Sequence, residues 1–529
     1  MTLLAFGTCQ PSDEALLRTH TRLLACPPAK KNWVIATSAL GSSLAFIEGS
    51  AVTLALPSLQ ADLGLSSAEL QWVVNVYLLA LGALMLVGGA LGDRYGLRRI
   101  FIAGCTIYAL GALGCALARW LPLLLSARLV QGVGGALLVP TSLALISNHF
   151  QGEEKGRAIG IWAGASALTT AIGPVLGGWL VDRWNWPAVF VLLVPLSALA
   201  ITMAWRHVPN SAPQRKGKLD YVGALLLAGS MATFFSGLLE QGTGRRLNLI
   251  LLSIAALAIF VWRERRTRTP ILPLRLFRSP MFAGANLMTC LLYAAFSGAL
   301  YFLPFDMIQV QGYSATEAGA ALLPMTLLLG VGSAFAGSAM RRVNPRTLLT
   351  IGPLVSAVGF FALAAPGRDT AYLTDFFPAI SILGLGMTLS VAPLTTVVMN
   401  SVGNDEVGLA SGVNNTLARL AGALAVAGLT ALAITWFSSA LVRSLHEAGV
   451  PRQLAAQLSS HATQLAGLRA PDNVGIPIAS AIRTSVANAY VHTFRLLVVV
   501  CGLLALGSAL TAWLCLGAAV RPRDPRQPL

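Results

Sequence analysis

Charge is scarce in this chain. Only 11% of its 529 residues are Asp, Glu, Lys or Arg, while 55% are hydrophobic; soluble domains carry roughly a quarter charged residues. A soluble globular protein is thereby excluded, and the mean hydropathy of +0.70 agrees. Acids are the scarcer sign, with 21 Asp and Glu against 37 Lys and Arg, a net +16. Gathered on one face, such an excess would suggest nucleic acid. Here it is scattered through short segments between apolar runs, including QRKGK (214–218) and RERRTRT (263–269). That is the pattern of the positive-inside rule, and no nucleic-acid partner is expected. Cysteine supplies no framework. Cys9 and Cys26 stand before the first apolar run, and Cys105, Cys115, Cys290, Cys501 and Cys515 lie inside apolar runs, without disulfide or metal-ligand spacing. They read as small packing residues, and no metal is expected. No G-x-x-x-x-G-K-[ST] loop occurs, which argues against an ATP-driven pump within the chain. Residues 1–32, ending in PPAKK, lack the layout of a signal peptide and read as a cytoplasmic arm, with LLRTHTRLLA as a candidate surface helix.

Long apolar runs are what the chain has in abundance. Runs of about 18 residues or more mark helical spans. They fall at about 33–56, 71–92, 99–118, 120–148, 157–181, 186–205, 219–240 and 247–262, then 281–304, 314–338, 347–365, 372–398, 407–435 and 489–518. The fold class is therefore an all-α polytopic membrane protein with fourteen expected transmembrane helices. Trp33, Trp72, Trp120, Trp184, Trp186, Trp205, Trp262 and Trp436 stand at run ends, as interfacial anchors do. The even count puts both termini on one side, and the bias of Lys and Arg makes that side cytoplasmic. One segment on the other side is long, 436–488, with helix-like periodicity in LHEAGVPRQLAAQLSSHATQLAGL.

The chain also repeats itself weakly. GGALGDRYGLRRIF (88–101) and AGSAMRRVNPRTLL (336–349) both place glycine and then a basic turn before the next run. Such repeats fit a secondary transporter built from two bundles with its site between them. The expected organisation is a six-helix bundle at 33–206, a linker with an inserted helix pair at 207–280, a six-helix bundle at 281–518 including loop 436–488, and a cytoplasmic tail at 519–529.

Charges inside spans are costly and mark function by default. Glu48, in FIEGSAVTLALPSLQ, lies about 13 Å along a helix before Pro57, close to the middle of a bilayer core about 30 Å thick. Arg128 sits mid-span; arginine keeps its proton, so it needs a partner or a water-filled cavity. Gly173 and Pro174 bend the fifth run, and Gly177 and Gly178 admit a close neighbour. Glu240, Asp306 and Asp375 fall near span ends, where each is either an attractor of cationic substrates toward the outer mouth or, in the blander reading, an acid in headgroup water. Phe46, Tyr77, Phe234, Phe235, Tyr293, Phe296 and Tyr301 are aromatic candidates for an apolar pocket, although most span aromatics face lipid or other helices.

These residues resemble a known family. GGALGDRYGLRRIF looks like the loop signature of the major facilitator superfamily, LLSARLVQGVGGALLVP (124–140) its fourth-span motif, and GASALTTAIGPVLGGWL (164–180) its antiporter motif. The ALP ending of the first run, WNWPAVFVLLVP, PILPLRLFRSPMFAGANL and GLASGVNNTLARLAGALAVAG narrow the resemblance to the fourteen-helix drug:proton antiporter group. It covers about 33–518. It implies a conformational latch made by Gly89, Asp93, Arg94, Gly96, Arg98 and Arg99, in which the aspartate lies against a helix N-terminus. Arg341 stands where the second copy would carry that acid, so the second half should lack it. The resemblance also implies that Gly160, Gly173, Pro174, Gly177 and Gly178 seal a seam between bundles, although Thr169 replaces an expected glycine. It places Glu48 where the family usually has Asp, and Thr53 where Asn is frequent. Glu48 and Arg128 would couple protons; a permanently paired structural acid is the alternative. Phe46, Glu48, Tyr77, Gln131, Tyr293, Phe296, Asn414 and Arg419 are the candidate substrate-cavity residues.

The expected activity is proton-coupled export of hydrophobic cationic or neutral amphiphilic drugs, with no enzyme chemistry and no cofactor beyond the proton gradient, in a bacterial inner membrane. Protons, the amphiphile and the bilayer are the expected partners; a periplasmic adaptor is not readable. Three alternatives stand beside this: export of an endogenous lipid, siderophore or metabolite; a non-transporting sensor or scaffold that keeps the fold; and a uniporter or channel, which would not need Glu48.

Overall fold

The computed structural model describes residues 28–516, apart from 66, 211–219, 241–242, 268–269, 271, 314, 341–342, 369, 404–405, 461, 469 and 472–473. The N-terminal arm before Pro28, Arg341, the side chains of Thr53 and Pro174, and the tail 519–529 lie outside the described residues.

The chain is helical, and no strand occurs among the described residues. The long helices are α1 Pro28–Leu63, α2 Ser67–Tyr95, α3 Leu97–Ala116, α4 Leu121–His149, α5 Gly152–Arg183, α6 Pro187–His207 and α7 Tyr221–Leu239. They continue as α8 Thr243–Glu264, α9 Pro280–Phe305, α10 Leu323–Ala339, α11 Pro345–Ala362, α12 Phe377–Asn400, α13 Val407–Glu447 and α14 Ile476–Cys515. Among the described residues, 11 helices are long and apolar enough to cross a membrane; α1, α5 and α7 lie outside that set although each coincides with an expected run. A lipid-spanning helix satisfies its own backbone groups, which is why runs this apolar fold as helices.

Several boundaries differ from the expected runs. The first helix continues past Pro57 to Leu63. The fifth starts at Gly152, so Lys155 belongs to it. At the far end of α13, Trp436–Glu447 stays helical beyond the expected 435, and α14 begins at Ile476 rather than 489. The long loop thus shrinks to a connection carrying a short helix Arg452–Ser460 and a 3-10 turn Ala462–Gly467. A π-turn, Asp306–Val310, ends α9, and another, Tyr372–Phe376, opens α12.

Packing follows the small residues. In the first six helices α3 lies on α4, α4 on α2, and α1 on α5. Later, α11 lies on α12, α9 on α14 and α9 on α13, while α7 and α8 pair with each other and α7 leans on α2. The two most extensive contacts joining these groups are α5 against α10 and α2 against α13, with α4 against α13 and α5 against α12 beside them. The α5–α10 seam is built of glycine on both sides. A Cβ on Gly156, Gly160 or Gly164 would strike the backbone oxygen of Gly337, Ser333 or Gly330 respectively. Lipid tails are as apolar as side chains, so close backbone approach of this kind is what drives helix association in a bilayer.

The hydrophobic core divides in two. One cluster gathers residues of α1–α6 together with Leu394–Met399 of α12 and Val407–Val413 of α13. The other collects Leu292–Leu303 of α9 with Phe360, Phe376 and the outer parts of α13 and α14. The two groups of helices therefore share one core at the end where α12 stops and α13 starts. The linker is pinned to that same end. Arg263 holds Asp220 with hydrogen bonds of 2.9 and 3.1 Å, and Arg275 pairs with Glu406, just before α13, at 2.8 Å. Burial raises the Asp220 carboxyl, but the Arg263 hydrogen bonds and the Gly223 amide outweigh it and hold the group below its ordinary value.

Candidate functional site

Two clusters are built by residues the sequence singles out. The first is at the turn between α2 and α3. Asp93 is fully buried, and its carboxylate accepts hydrogen bonds from the backbone N–H of Gly408 at 2.8 Å and of Leu409 at 2.7 Å. Those amides belong to the first turn of α13, where four N–H groups have no partner within the helix and the macrodipole favours an anion. Gly89 permits the approach: a Cβ there would overlap the carbonyl oxygen of Gly408. Gly96 has φ of 98°, a conformation open mainly to glycine, and it lets α3 start at once after α2. Arg94 is buried. Arg98 turns elsewhere, donating to Asn210 Oδ1 at 2.7 Å and to the carbonyl of Trp205, which ties α3 to the end of α6. Arg99 is exposed. Lys155, at the start of α5, is buried against the end of α12 and donates to the Met399 carbonyl at 3.4 Å. Burial pushes its pKa down to about 8.

The second cluster lies deep in the helices. Arg128 on α4 forms an ion pair with Glu48 on α1, and both side chains are excluded from solvent. Arg128 also donates from Nη1 to Gln131 Oε1 at 2.9 Å and from Nε to the carbonyl of Val73 on α2 at 2.8 Å. Its guanidinium lies 4.6 Å from the centre of the Tyr77 ring, a cation–π distance. One arginine thus ties α1, α2 and α4 together. The hydrogen bonding is incomplete. Glu48 Oε2 and Gln131 Nε2 are buried without a hydrogen-bond partner among the described residues, and Tyr77 Oη is within electrostatic reach of Glu48 without good hydrogen-bond geometry. Buried polar atoms are nearly always satisfied, so such gaps at one site need a reason.

Across from this pair, on α13, Arg419 is half-buried and within electrostatic reach of Glu48, Tyr77 and Tyr293. It forms no ion pair among the described residues. Five residues earlier, Asn414 donates to Thr289 Oγ1 at 2.7 Å and to Asn286 Oδ1 at 3.2 Å, bridging α13 and α9. Phe46 and Tyr293 are half-buried. Phe296 packs differently: it is buried in the second core, 5.1 Å from Phe360 in a T-shaped pair.

The antiporter motif separates into two places. Gly160 is in the α5–α10 seam. Gly177 instead meets Ala51 of α1, where a Cβ would contact the backbone, and Gly173 is buried in the same half of α5. Gly178 is half-buried. The seam between the helix groups is carried by Gly156, Gly160 and Gly164, two of which the motif reading missed. Their i, i+4, i+8 spacing was the available signal.

Comparison with known proteins settles the family. The model of the Major Facilitator Superfamily matches residues 38–426. The chain belongs to the Major Facilitator Superfamily. It is 31% identical over 421 residues to the multidrug resistance protein Stp of Mycobacterium tuberculosis, covering 78% of each chain. It is 34% identical over 396 residues to the cephamycin export protein CmcT of Amycolatopsis lactamdurans, covering 73% of this chain and 82% of that one. The structure of the proton:xylose symporter XylE superposes with a TM-score of 0.58 at 15% identity, over 92% of this chain and 95% of that one, which supports the fold alone. This superfamily member is a multi-pass membrane transporter and not an enzyme.

Proposed function

We propose that the protein is a proton-coupled antiporter that exports hydrophobic amphiphiles from a bacterium across its inner membrane. In this reading fourteen helices cross the bilayer with both termini cytoplasmic, and bundles 33–206 and 281–518 rock about a midplane site, joined through the pair within 207–280. The observation that carries it is the buried Glu48–Arg128 ion pair, whose second carboxylate oxygen has no geometric hydrogen-bond partner among the described residues and faces Tyr77. Arginine and a proton compete for the same carboxylate. A rearrangement that draws Arg128 aside would load Glu48, and its return would expel the proton. The gaps in hydrogen bonding at Glu48, Tyr77 and Gln131 among the described residues support this over a permanently bonded structural pair.

The relatives named for drug resistance and antibiotic export support an exporter of foreign or secondary-metabolite cargo. Local charge narrows the class. Glu48 is neutralised by Arg128, and Arg419 adds positive charge within reach of both. Neutral amphiphiles are therefore favoured over permanent cations.

The test uses purified protein in liposomes with a pH-sensitive dye inside. Adding a neutral amphiphile, and separately ethidium, should move protons in wild type and not in Glu48→Gln. Equal proton movement in both proteins would remove Glu48 from coupling; none in either would count against antiport.

A further inference from the structure

At the end of the molecule opposite the Asp93 latch, α14 changes character along a single stripe. From Leu496 to Leu516 it has no charged residue, and at 1.5 Å per residue this part is about 30 Å long, one hydrocarbon core. The exposed residues Leu503, Leu510 and Leu514 mark its lipid-facing side. At the latch end, exposed Trp513 receives the Arg346 guanidinium at 4.1 Å, an interfacial pairing that fixes where the core stops. Followed the other way, the same stripe reaches Arg495, then His492 and Asn488, all exposed. These three residues therefore stand at headgroup level.

They border a shallow recess that is open to its surroundings. With Gly367 and Arg368, from the connection after α11, and Val491, they line a cavity of about 330 Å³. Among the described residues its lining has two arginines, a histidine and an asparagine and no acid. Arg495 holds the rim in place by donating from Nη2 to the carbonyls of Ala365 at 3.3 Å and Pro366 at 3.2 Å. Gln311 steadies the same connection through the carbonyl of Gly367 at 2.8 Å, and its amide also reaches the carboxylate of buried Asp306 at 3.3 Å. Arg368 has no ion pair among the described residues. A preformed cationic recess, at headgroup depth and continuous with an exposed apolar stripe, has the chemistry of a phosphodiester flanked by acyl chains.

We propose that this recess is a binding site for one anionic phospholipid. Arg368 and Arg495 take the phosphate, Asn488 offers its amide to the headgroup, and the chains lie along Leu503 and Leu510. Basic pockets between membrane helices recognise headgroups by this combination. A solvated basic rim without lipid preference is the competing explanation. So is a site for soluble phosphate esters.

Native mass spectrometry of the delipidated full-length protein distinguishes them, with phosphatidylglycerol, phosphatidylcholine and glycerol 3-phosphate as probes. Wild type should retain one phosphatidylglycerol at concentrations where phosphatidylcholine is not retained. Arg368→Glu, which breaks no hydrogen bond or ion pair among the described residues, should weaken that retention at least tenfold, and Arg495→Lys should weaken it less. Equal retention by wild type and Arg368→Glu would overturn the proposal, as would equal retention of the two lipids. Saturable binding of glycerol 3-phosphate as tight as that of the lipid would overturn the lipid assignment.

Discussion

Glu48 and Arg128 show how two side chains restrict a membrane protein. Each is untenable alone in a low-dielectric span, and together they are tolerated. Removing one partner leaves an uncompensated buried charge, a loss of about 3–5 kcal/mol. Arg128→Ala should therefore lower stability by that order, read as a fall in the thermal midpoint in detergent. The double variant Glu48→Gln with Arg128→Gln should recover most of that loss while remaining unable to couple protons, because neutral partners carry no stranded charge. A double variant as unstable as the single one would show that Arg128 acts mainly through Val73, Gln131 and the Tyr77 ring. The pair was legible in the sequence because intramembrane charges must find each other. The roles of Gln131 and Val73 were less so: a backbone carbonyl has no sequence signature, and Gln131 was legible only as a motif position.

At the scale of elements, the latch couples the α2–α3 turn to the start of α13. A carboxylate at a helix N-terminus contributes about 0.3–1 kcal/mol, up to ~2 when partly buried. Asp93→Asn should thus shift the balance toward the unlatched arrangement by somewhat under twofold to about thirtyfold, since 1.4 kcal/mol is a factor of ten. Spin labels on exposed positions of the α2–α3 turn and near the start of α13 would report the change as a longer distance. Gly89→Leu should act more strongly, because its side chain must displace the Gly408 carbonyl. An unchanged distance distribution in both variants would remove the latch role. The sequence revealed Asp93 but not its receptor, because two backbone amides more than 300 positions away leave no pattern. Helix ends were misjudged for a related reason. Trp436–Glu447 and the first turns of α14 are helical outside the expected apolar runs, where apolarity no longer tracks helicity. The inserted pair was visible as two apolar runs, but the Arg275–Glu406 tie to α13 was not.

For the whole molecule, the arrangement seen is closed at the latch end: one shared core, the glycine seam of α5 and α10, and Asp93 seated on α13. Lys155 is buried in that closure with its pKa lowered to about 8 from an ordinary 10.5. The sign follows from linkage: between about pH 8 and 10.5 an opened form with solvated Lys155 binds more protons than the closed form. Raising pH through that window favours closure, and the penalty of burying the ammonium is fully present below it. The interspin distance should shorten between pH 7.5 and 10 in wild type, and Lys155→Met should be short throughout. A pH response retained in the Met variant would assign it to another group.

Proton coupling through Glu48 is tested most directly by the protons released when cargo binds. Detergent-solubilised protein in weakly buffered solution near neutral pH, mixed with a transported amphiphile, is followed with a pH indicator. If cargo and proton exclude each other at Glu48, wild type releases protons in proportion to cargo bound. Glu48→Gln then binds cargo and releases none. Undiminished release from Glu48→Gln, or cargo binding by wild type with no release across the accessible pH range, would contradict the account.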